Sequence, residues 1–256
     1  MNDTIARAYS SIIPSNIVLP NLETMCCTHS QPHEQLEEVF TGDRRNFTYN
    51  FIEGKKHDDL HEEHTAEPTS SLREYTSFSF PVNSAMHNYS NTGTVKPSQK
   101  QDVELAKKIE NDLTPYQAKK PFTVYTGLRH SPFKAATNIG GYFHAHMPSF
   151  VSTSTDLHTA EFFAAHDNDT EHNPSLHYGD IEPGSKHVLK IHVVPGTNIA
   201  SVKKFSRYES ENEMLLNRGY NVMINPRPTY LPPKGQGLSP TYVWDTWVTR
   251  RTPRKL

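Results

Sequence analysis

The stretch ENEMLLNRGYNVMIN at residues 211–225 holds two short apolar runs, separated by a turn signal at Gly219. Apolar runs of this length bounded by glycine predict two strands. Glu211 and Glu213 stand where the first run begins. Side chains two residues apart in an extended chain point to the same side, so both carboxylates are expected on one face of the first strand.

Outward from this pair, helical patterns come first and strand patterns follow. Residues 101–113 carry apolar side chains at helical spacing with Pro115 just beyond, which predicts a helix. A second helical stretch at residues 72–90 is interrupted near Pro81, and residues 155–166 predict a later helix. Helices followed by a mainly antiparallel sheet make an α+β fold. The further predicted strands are PFTVYTGL (121–128), SFVSTST (149–155), HVLKIHVV (187–194) and TYVWDTWV (241–248).

The composition indicates a chain with a modest core. With 26 Lys and Arg against 28 Asp and Glu among 256 residues, the net charge is −2, which gives no global positive field for nucleic acid or membranes. Hydrophobic residues make up 34% and mean hydropathy is −0.70, so part of the chain is expected outside the core. No apolar run approaches the roughly 20 residues that span a bilayer. Residues 1–70 are polar and weakly periodic, and we interpret them as a partly disordered N-terminal arm.

Two features of the sequence favour the cytoplasm. Residues 1–20 lack a basic region followed by an apolar one, so a secretory signal is not expected. Cys26 and Cys27 are adjacent, which is poor geometry for a disulfide, and two cysteines are too few for a zinc cage. We therefore expect a reduced, cytoplasmic site of action.

Three segments combine polar side chains with predicted strands. Residues 124–129 (VYTGLR) end a strand at Gly127 and Arg129, and residues 150–156 (FVSTSTD) place hydroxyls on a strand that runs into a helix. Residues 208–219 contain the two glutamates. Two carboxylates on one face repel, and each raises the pKa of the other unless a cation or hydrogen bonds compensate. Such a pair suits the stabilisation of developing positive charge or the binding of a cationic group.

In order and spacing, these segments resemble the Arg-Ser-Glu clade of mono-ADP-ribosyltransferases. The clade has an aromatic-Arg-Gly strand, then Ser-Thr-Ser, then Glu-x-Glu before a Leu-Leu-x-x-Gly strand, and residues 152–154 and 211–219 match closely. The likeness spans about residues 71–250 and is greatest to the Alt-type enzymes of tailed bacteriophages. It implies an ADP-ribosyltransferase fold over residues 71–256, which is a split antiparallel β-sandwich with N-terminal helices around an NAD⁺ cleft.

The resemblance implies transfer of ADP-ribose from NAD⁺ to a protein side chain, with release of nicotinamide and without a metal. Glu213 would stabilise the oxocarbenium-like transition state through the ribose 2′-hydroxyl. Ser152 would hold both Glu213 and the ribose in place. Arg129 would clamp the diphosphate by a charge-assisted fork.

The resemblance also assigns further contacts to the NAD⁺ donor. Gly127 would let the backbone approach the nicotinamide amide closely. Phe163, or its neighbour Phe162, would stack on the nicotinamide ring. Thr153 and Ser154 complete the implied donor site.

On the acceptor side, Glu211 would orient and help deprotonate an arginine guanidinium, which is a poor nucleophile while fully protonated. Tyr208 would lie on the loop that presents the acceptor. The implied partners are NAD⁺ and an acceptor protein, drawn from host transcription or translation machinery if the phage likeness holds. No membrane partner and no direct nucleic-acid binding are expected.

One departure from the clade leaves two alternatives open. The arginine of the clade usually follows the aromatic residue directly, but here that position is Thr126 and Arg129 comes three residues later. Arg129 could reach the same phosphates from the end of the strand, or it could be an ordinary surface arginine. A chain without the phosphate clamp would bind NAD⁺ weakly, as expected of a non-catalytic interaction or virion protein with a degenerate cleft. A rival function that does not depend on this departure is an NAD⁺ glycohydrolase, which passes the ribose to water in the same cleft.

Histidines supply weaker candidates. His57, His61 and His64 could share one helical face, but they lack the HExxH gap and have little apolar support, so a solvated polar arm is favoured. His144 and His146 alternate on a predicted strand and leave metal binding open.

Two enzyme motifs are incomplete in this sequence. Thr153 or Ser154 could act as a nucleophile with His130, but no Gly-x-Ser-x-Gly elbow accompanies them. NIGGYF at residues 138–143 lacks the full GxGxxG pattern, so a Rossmann type of NAD binding is not expected.

Overall fold

Helices occupy the N-terminal part of the described chain and one later flank of its sheet. The computed structural model describes residues 57–128, 137–139, 141–164, 184–235 and 238–251. Within these ranges, no helix is both long and apolar enough to cross a membrane. The helices are α1 (His57–Glu63), α2 (Ser70–Ser77), α3 (Phe80–Thr92), α4 (Lys100–Leu113) and α5 (Leu157–Ala164).

Helices α2 and α3 meet at a short break, as the sequence predicts near Pro81. Thr69 caps α2, because its hydroxyl accepts a hydrogen bond from the Leu72 N–H at 3.2 Å. Helix α2 ends at Ser77 with Phe78 as its C-terminal cap, and α3 carries Pro81 in its first turn, where the missing N–H costs nothing. Gly93 ends α3 with φ 70°, a left-handed conformation that glycine adopts easily.

The strands form one hydrogen-bonded sheet. They are β1 (Phe122–Leu128), β2 (Thr137–Ile139), β3 (Tyr142–Met147), β4 (Val151–Ser154), β5 (Lys186–Val193), β6 (Ile199–Ser201), β7 (Glu213–Leu216), β8 (Tyr220–Ile224), β9 (Thr229–Leu231) and β10 (Thr241–Arg251). Their order is β2-β3-β8-β10-β5-β1-β4-β7-β6, and β9 pairs with β10. Strands β5 and β10 pair in parallel and the other pairs are antiparallel. The predicted mainly antiparallel sheet is confirmed, although the sequence did not indicate the three-residue strands β2, β6 and β9.

The sheet splits into two halves between β1 and β4. These strands share a single register pair, Tyr125 opposite Ser154, whereas β1 and β5 pair along their whole length. One hydrophobic core contains residues of both halves, such as Val124 from β1 and Met214 from β7. Two sheet halves around a shared core are a split sandwich. The predicted α+β fold, a split antiparallel β-sandwich with N-terminal helices, is therefore confirmed.

Helices α2, α3 and α4 cover the outer face of one half, and α5 covers that of the other. Tyr75 of α2 and Ile109 of α4 belong to a core that includes Leu215 of β7. Ala160 of α5 instead packs with Val188 of β5. The break between β1 and β4 therefore lies between a helical layer on one half and α5 on the other.

Part of the segment interpreted as a solvated arm contributes to the core. Leu60 lies in the core shared by the sheet halves, and the side chains of His61 and His64 are 4% and 3% exposed. Beside β6, the Ser201 N–H donates to the His64 carbonyl and the Ala66 N–H donates to the Ser201 carbonyl. The prediction of a solvated face was wrong for His61 and His64, because both rings find hydrogen-bond partners inside the protein.

Several predictions fall outside the described residues. Residues 1–56, which include Cys26 and Cys27, are not described, and the proposed division of the chain at residue 70 stays a prediction. Arg129 and His130 also lie outside the described ranges.

Candidate functional site

Strands β4 and β7 bring the hydroxyl segment and the glutamate segment together. They pair antiparallel, with Ser152 opposite Leu215 and Ser154 opposite Glu213. Directly opposed residues share a face of a sheet, so Ser152, Ser154 and Glu213 lie on the same side. We call Ser152, Thr153, Ser154 and Glu213 the β4–β7 wall.

Glu213 is a buried carboxylic acid at the start of β7. Glu213 is 4% exposed, and Ser152 and Ser206 form hydrogen bonds with its side chain. Burial raises the pKa of Glu213 to about 7, the two hydroxyl bonds act in the opposite direction, and the charge of Glu211 raises the pKa further. A carboxyl group with a pKa near neutrality suits chemistry in which charge develops beside it.

A hydrogen-bond chain that the sequence did not reveal runs behind Ser152. Asn83 of α3 donates from Nδ2 to the Tyr75 hydroxyl at 3.0 Å, and Tyr75 bonds to Ser152. Burial raises the pKa of Tyr75 above its ordinary value, so the phenol stays protonated. Because Oη accepts from Asn83, its own proton is left to donate to Ser152, and Ser152 in turn bonds to Glu213.

Glu211 does not lie on a strand with Glu213, so the prediction from extended spacing was wrong. Residues Glu209–Glu211 form a short 3₁₀ helix, and Asn212 follows in the left-handed region with φ 49°. The Ser154 hydroxyl donates to the Glu211 carbonyl at 2.7 Å, which anchors this turn to β4. The two glutamates nevertheless line the same cleft. A turn rather than strand alternation brings them together.

The hydroxyls of Thr153 and Ser154 are engaged by the backbone. Thr153 Oγ1 donates to the Met214 carbonyl at 2.6 Å, and Ser154 donates to the carbonyl of Glu211. A hydroxyl nucleophile must give its proton to a base, whereas these protons go to carbonyl oxygens. This geometry disfavours the alternative of a Thr153 or Ser154 nucleophile.

Close backbone contact between β1 and α5 builds the opposite side of the cleft. A Cβ on Gly127 would lie 2.3 Å from the Ala160 carbonyl oxygen and 2.6 Å from the Ala164 nitrogen. No side chain fits in this space, so glycine is required for α5 to pack on β1. We call this side the β1–α5 wall, and it comprises Tyr125, Thr126, Gly127, Thr159, Ala160 and Phe163.

Thr126 occupies the position at which the resemblance places an arginine. Its side chain is buried, and Oγ1 donates to the Ser152 carbonyl at 3.0 Å. This bond crosses from β1 to β4 near their single register pair. Thr126 therefore ties the two walls together.

Two predicted aromatic contacts lie at the edges of the site. Phe163 lines the cleft, whereas Phe162 is 50% exposed and meets the Phe163 ring edge-on at a centroid distance of 5.6 Å. Tyr208 is half-buried at the start of the turn before β7, and the guanidinium of Arg207 lies 5.8 Å from its ring centroid. Its N–H donates to Ser206 Oγ at 3.3 Å, so the turn and Glu213 share one serine.

The two walls enclose a cleft with an acidic lining. Glu211 and Glu213 supply two carboxylates, and the described lining contains neither lysine nor arginine. Arg129, the predicted phosphate clamp, lies outside the described residues. The lining residues are Tyr125, Thr126, Gly127, Ser152, Thr153, Ser154, Thr159, Ala160, Phe163, Glu211 and Glu213.

The histidine candidates have other partners in the structure. His61 bonds two hydroxyl groups, and His64 Nδ1 lies 2.9 Å from the Leu60 carbonyl. His146 Nδ1 lies 2.8 Å from Asn221 Oδ1 on the neighbouring strand. Within the described part of the chain, no group of three or more His, Cys, Asp or Glu side chains could hold a metal ion.

A family model matches most of this architecture. The model of the ADP-ribosyltransferase exoenzyme family matches residues 53–235, which is more than half of the chain. The matched range begins before α1 and includes both walls of the cleft. No curated protein matches the chain in sequence.

Solved structures of bacterial toxins share the fold at low sequence identity. The C3 exoenzyme of Clostridium limosum gives a TM-score of 0.53 at 14% identity, over 78% of this chain and 98% of its own. Plx2a, an ADP-ribosyltransferase toxin from Paenibacillus larvae, gives 0.52 at 18% identity, over 76% of this chain and 96% of its own. The C. perfringens toxin BECa, solved with NADH, gives a TM-score of 0.52 at 18% identity. The match covers 76% of this chain and 48% of the longer BECa chain.

Proposed function

Because the chain belongs to the ADP-ribosyltransferase exoenzyme family, we propose that it moves ADP-ribose from NAD⁺ to arginine side chains of proteins and releases nicotinamide. The observation that carries this proposal is the buried Glu213 carboxyl group, which Ser152 hydrogen-bonds beside the break between the sheet halves. A carboxylate held in this way at a cleft suits a reaction that develops positive charge on a sugar.

On the donor side, the bond between ribose C1′ and the nicotinamide nitrogen breaks, and the nitrogen keeps the electron pair. Positive charge then develops on the ribose ring, and ionised Glu213 stabilises it through the 2′-hydroxyl. The pKa of about 7 leaves a substantial ionised fraction of Glu213 at neutral pH. Ser152, directed by Tyr75, holds the carboxylate in one orientation.

On the acceptor side, Glu211 receives the proton that the guanidinium must lose as its nitrogen bonds to C1′. A cationic acceptor is drawn to a lining that carries two carboxylates and no described cation. Tyr208, on the same turn as Glu211, presents the acceptor. The choice of arginine rests on the resemblance of the Glu-x-Glu segment.

The remaining contacts of NAD⁺ are assigned to the β1–α5 wall and the residue that follows β1. The diphosphate needs a positive partner. Thr126 carries no charge and the described lining contains neither lysine nor arginine, so we assign this role to Arg129, which follows β1 in the sequence. Phe163 stacks on nicotinamide, and the backbone at Gly127 approaches its amide. Arg129→Ala should raise the KM for NAD⁺ about tenfold or more.

We assign the acceptor to the transcription or translation machinery of a bacterial host, which places the reaction in the host cytoplasm. This part of the proposal rests on the resemblance of YTGLRHSP (125–132) and MPSFVSTST (147–155) to Alt-type phage enzymes.

Labelled NAD⁺, incubated with the full chain in the presence and absence of bacterial lysate, tests the reaction. A transferase labels protein, whereas a glycohydrolase releases free ADP-ribose. Glu213→Gln should lose both activities by roughly a thousandfold, because it removes the group that faces the developing charge. Glu211→Gln should lose transfer to arginine but keep hydrolysis. Glu209→Gln, an exposed neighbour outside the described lining, is the matched control and should keep both.

The alternatives give different results in the same assay. Release of ADP-ribose without labelled protein, even in lysate, would identify a glycohydrolase. Neither product with wild type would identify a degenerate cleft. Full transfer by Arg129→Ala would show that the phosphate clamp is assigned to the wrong residue.

A further inference from the structure

Two backbone hydrogen bonds fix the start of β7, one from the residue that follows each neighbouring strand. The Thr155 N–H donates to the Asn212 carbonyl at 3.4 Å, and the Val202 N–H donates to the Glu213 carbonyl at 3.2 Å. Asn212 has the left-handed backbone that ends the preceding turn. The position of the Glu213 carboxyl group therefore depends on how the neighbouring segments hold this short stretch.

His61 of α1 bridges the two neighbouring segments from behind. Its Nδ1 lies 2.7 Å from Ser201 Oγ and its Nε2 lies 3.3 Å from Thr155 Oγ1. Ser201 is opposite Met214 in the sheet, so it lies on the face away from Glu213. His61 is buried and is not among the residues that line the cleft.

The chemistry of imidazole suits this bridge. A neutral ring has one nitrogen that donates and one that accepts, and a hydroxyl can do either, so both bonds form in either tautomer. Phenylalanine keeps the ring but has neither nitrogen, and the short amide of glutamine can restore part of the bonding.

We propose that His61 is a positioning residue for catalysis: by joining Ser201 to Thr155 across β7, it holds the Glu213 carboxyl group where the ribose binds. The inference rests on the proposed role of Glu213. The HDDLHEEH segment at residues 57–64 then has a catalytic role in addition to the packing of Leu60 in the core and the bond that the His64 carbonyl accepts from Ser201.

His64 provides a matched control in the same segment. It is equally buried, and its ring lies 5.2 Å from the Phe122 ring. Its Nδ1 bonds to Leu60, within its own segment, and not to the strands around Glu213. His61→Phe and His64→Phe should therefore disturb the packing of α1 to a similar degree, and only the first should disturb the site.

The test measures nicotinamide release by the full chain, with thermal unfolding measured for each variant. His61→Phe should lower kcat about tenfold with the KM for NAD⁺ within about twofold, because the carboxyl group is displaced by a fraction of an ångström. The pH at which activity rises should also move upward, since Glu213 loses alignment with Ser152 and Ser206 while Glu211 and Tyr75 still face it. His64→Phe should keep both kcat and the pH profile, and His61→Gln should recover part of kcat.

The outcomes separate this inference from the proposed function. Equal kcat and equal pH profiles for His61→Phe and His64→Phe would overturn the positioning role, even if both variants are less stable. If His61→Phe does not fold, His61→Gln decides in its place, and wild-type kcat and pH profile for that variant would overturn the role. Glu213→Gln with full activity would instead show that the proposed function itself fails.

Discussion

Close approach of backbone atoms holds the β1–α5 wall, whereas side-chain hydrogen bonds hold the β4–β7 wall. On the first wall, the backbone of Gly127 lies so close to Ala160 that no Cβ atom fits between them. On the second, hydrogen bonds between buried side chains join Tyr75 to Ser152 and Ser152 to Glu213. The β1–α5 wall is therefore sensitive to added side-chain volume, and the β4–β7 wall is sensitive to the direction of each hydrogen bond.

Gly127→Ala should break the β1–α5 wall and have the largest effect on stability. The added Cβ would meet two backbone atoms of α5 well inside contact distance, so the helix must move away from the strand. We expect a loss of about 3 kcal/mol in the free energy of unfolding. Gly235→Ala is the control, because its Cβ would meet only the Leu238 side chain at 3.4 Å. Urea unfolding that shows equal stability for both variants would contradict this account of the wall.

Glu213→Gln should make the β4–β7 wall more stable while abolishing the proposed reaction. The folded-state pKa of about 7 lies above the ordinary value of 4.5. Ionising the buried Glu213 therefore destabilises the folded wild type, and this loss develops as pH rises from about 4.5 to about 7. Since a tenfold change in proton affinity is about 1.4 kcal/mol, the variant should gain up to roughly 3 kcal/mol over wild type at about pH 8.

The gain in stability of Glu213→Gln should depend on pH. Below about pH 4 the carboxyl group is protonated in both folded and unfolded chains, so the gain of Glu213→Gln should vanish there. Wild-type activity should rise through about pH 7, because the proposed role of Glu213 requires its ionised form. A stability difference between Glu213→Gln and wild type that does not change with pH would contradict the assignment.

The elements of both walls could be predicted from the sequence, but their internal bonding could not. Periodicity and turn signals gave β1, β4, β7 and α5, because local apolar spacing determines such elements. The extended spacing misplaced Glu211, because Asn212 adopts a left-handed conformation that apolar patterning does not encode. The link from Tyr75 to Ser152 joins residues far apart in the chain and depends on tertiary packing.

Neither apolar periodicity nor a turn signal predicted the burial of two histidines in α1 and just after it. Burial of His61 and His64 was missed because a polar, acidic segment resembles a solvated arm in composition. Only the partners of each ring, which come from distant strands or from backbone carbonyls, explain how these residues are accommodated in the core.

Tyr75→Phe should weaken the hydrogen bonding behind the β4–β7 wall, with a smaller effect than Glu213→Gln. Phenylalanine lacks the hydroxyl that donates to Ser152, so the Ser152 side chain can rotate away from Glu213. The kcat for nicotinamide release should therefore fall about tenfold. Tyr116→Phe is the control, because that hydroxyl accepts from the Glu67 N–H at 2.8 Å outside the described lining of the cleft. Equal kcat values for the two variants would remove Tyr75 from the chain of bonds.

Thr126→Val tests the tie between the walls and should have the smallest effect. Valine keeps the shape of threonine but cannot donate to the Ser152 carbonyl, so the free energy of unfolding should fall by about 1 kcal/mol. Thr123→Val, on the same strand, is the matched control. Thr123 is also buried, but its hydroxyl has no hydrogen-bond partner among the described residues, so removing that hydroxyl should be neutral or slightly stabilising. If both variants lose the same stability, the bond from Thr126 to Ser152 does not join the walls, and the loss reflects the strand alone.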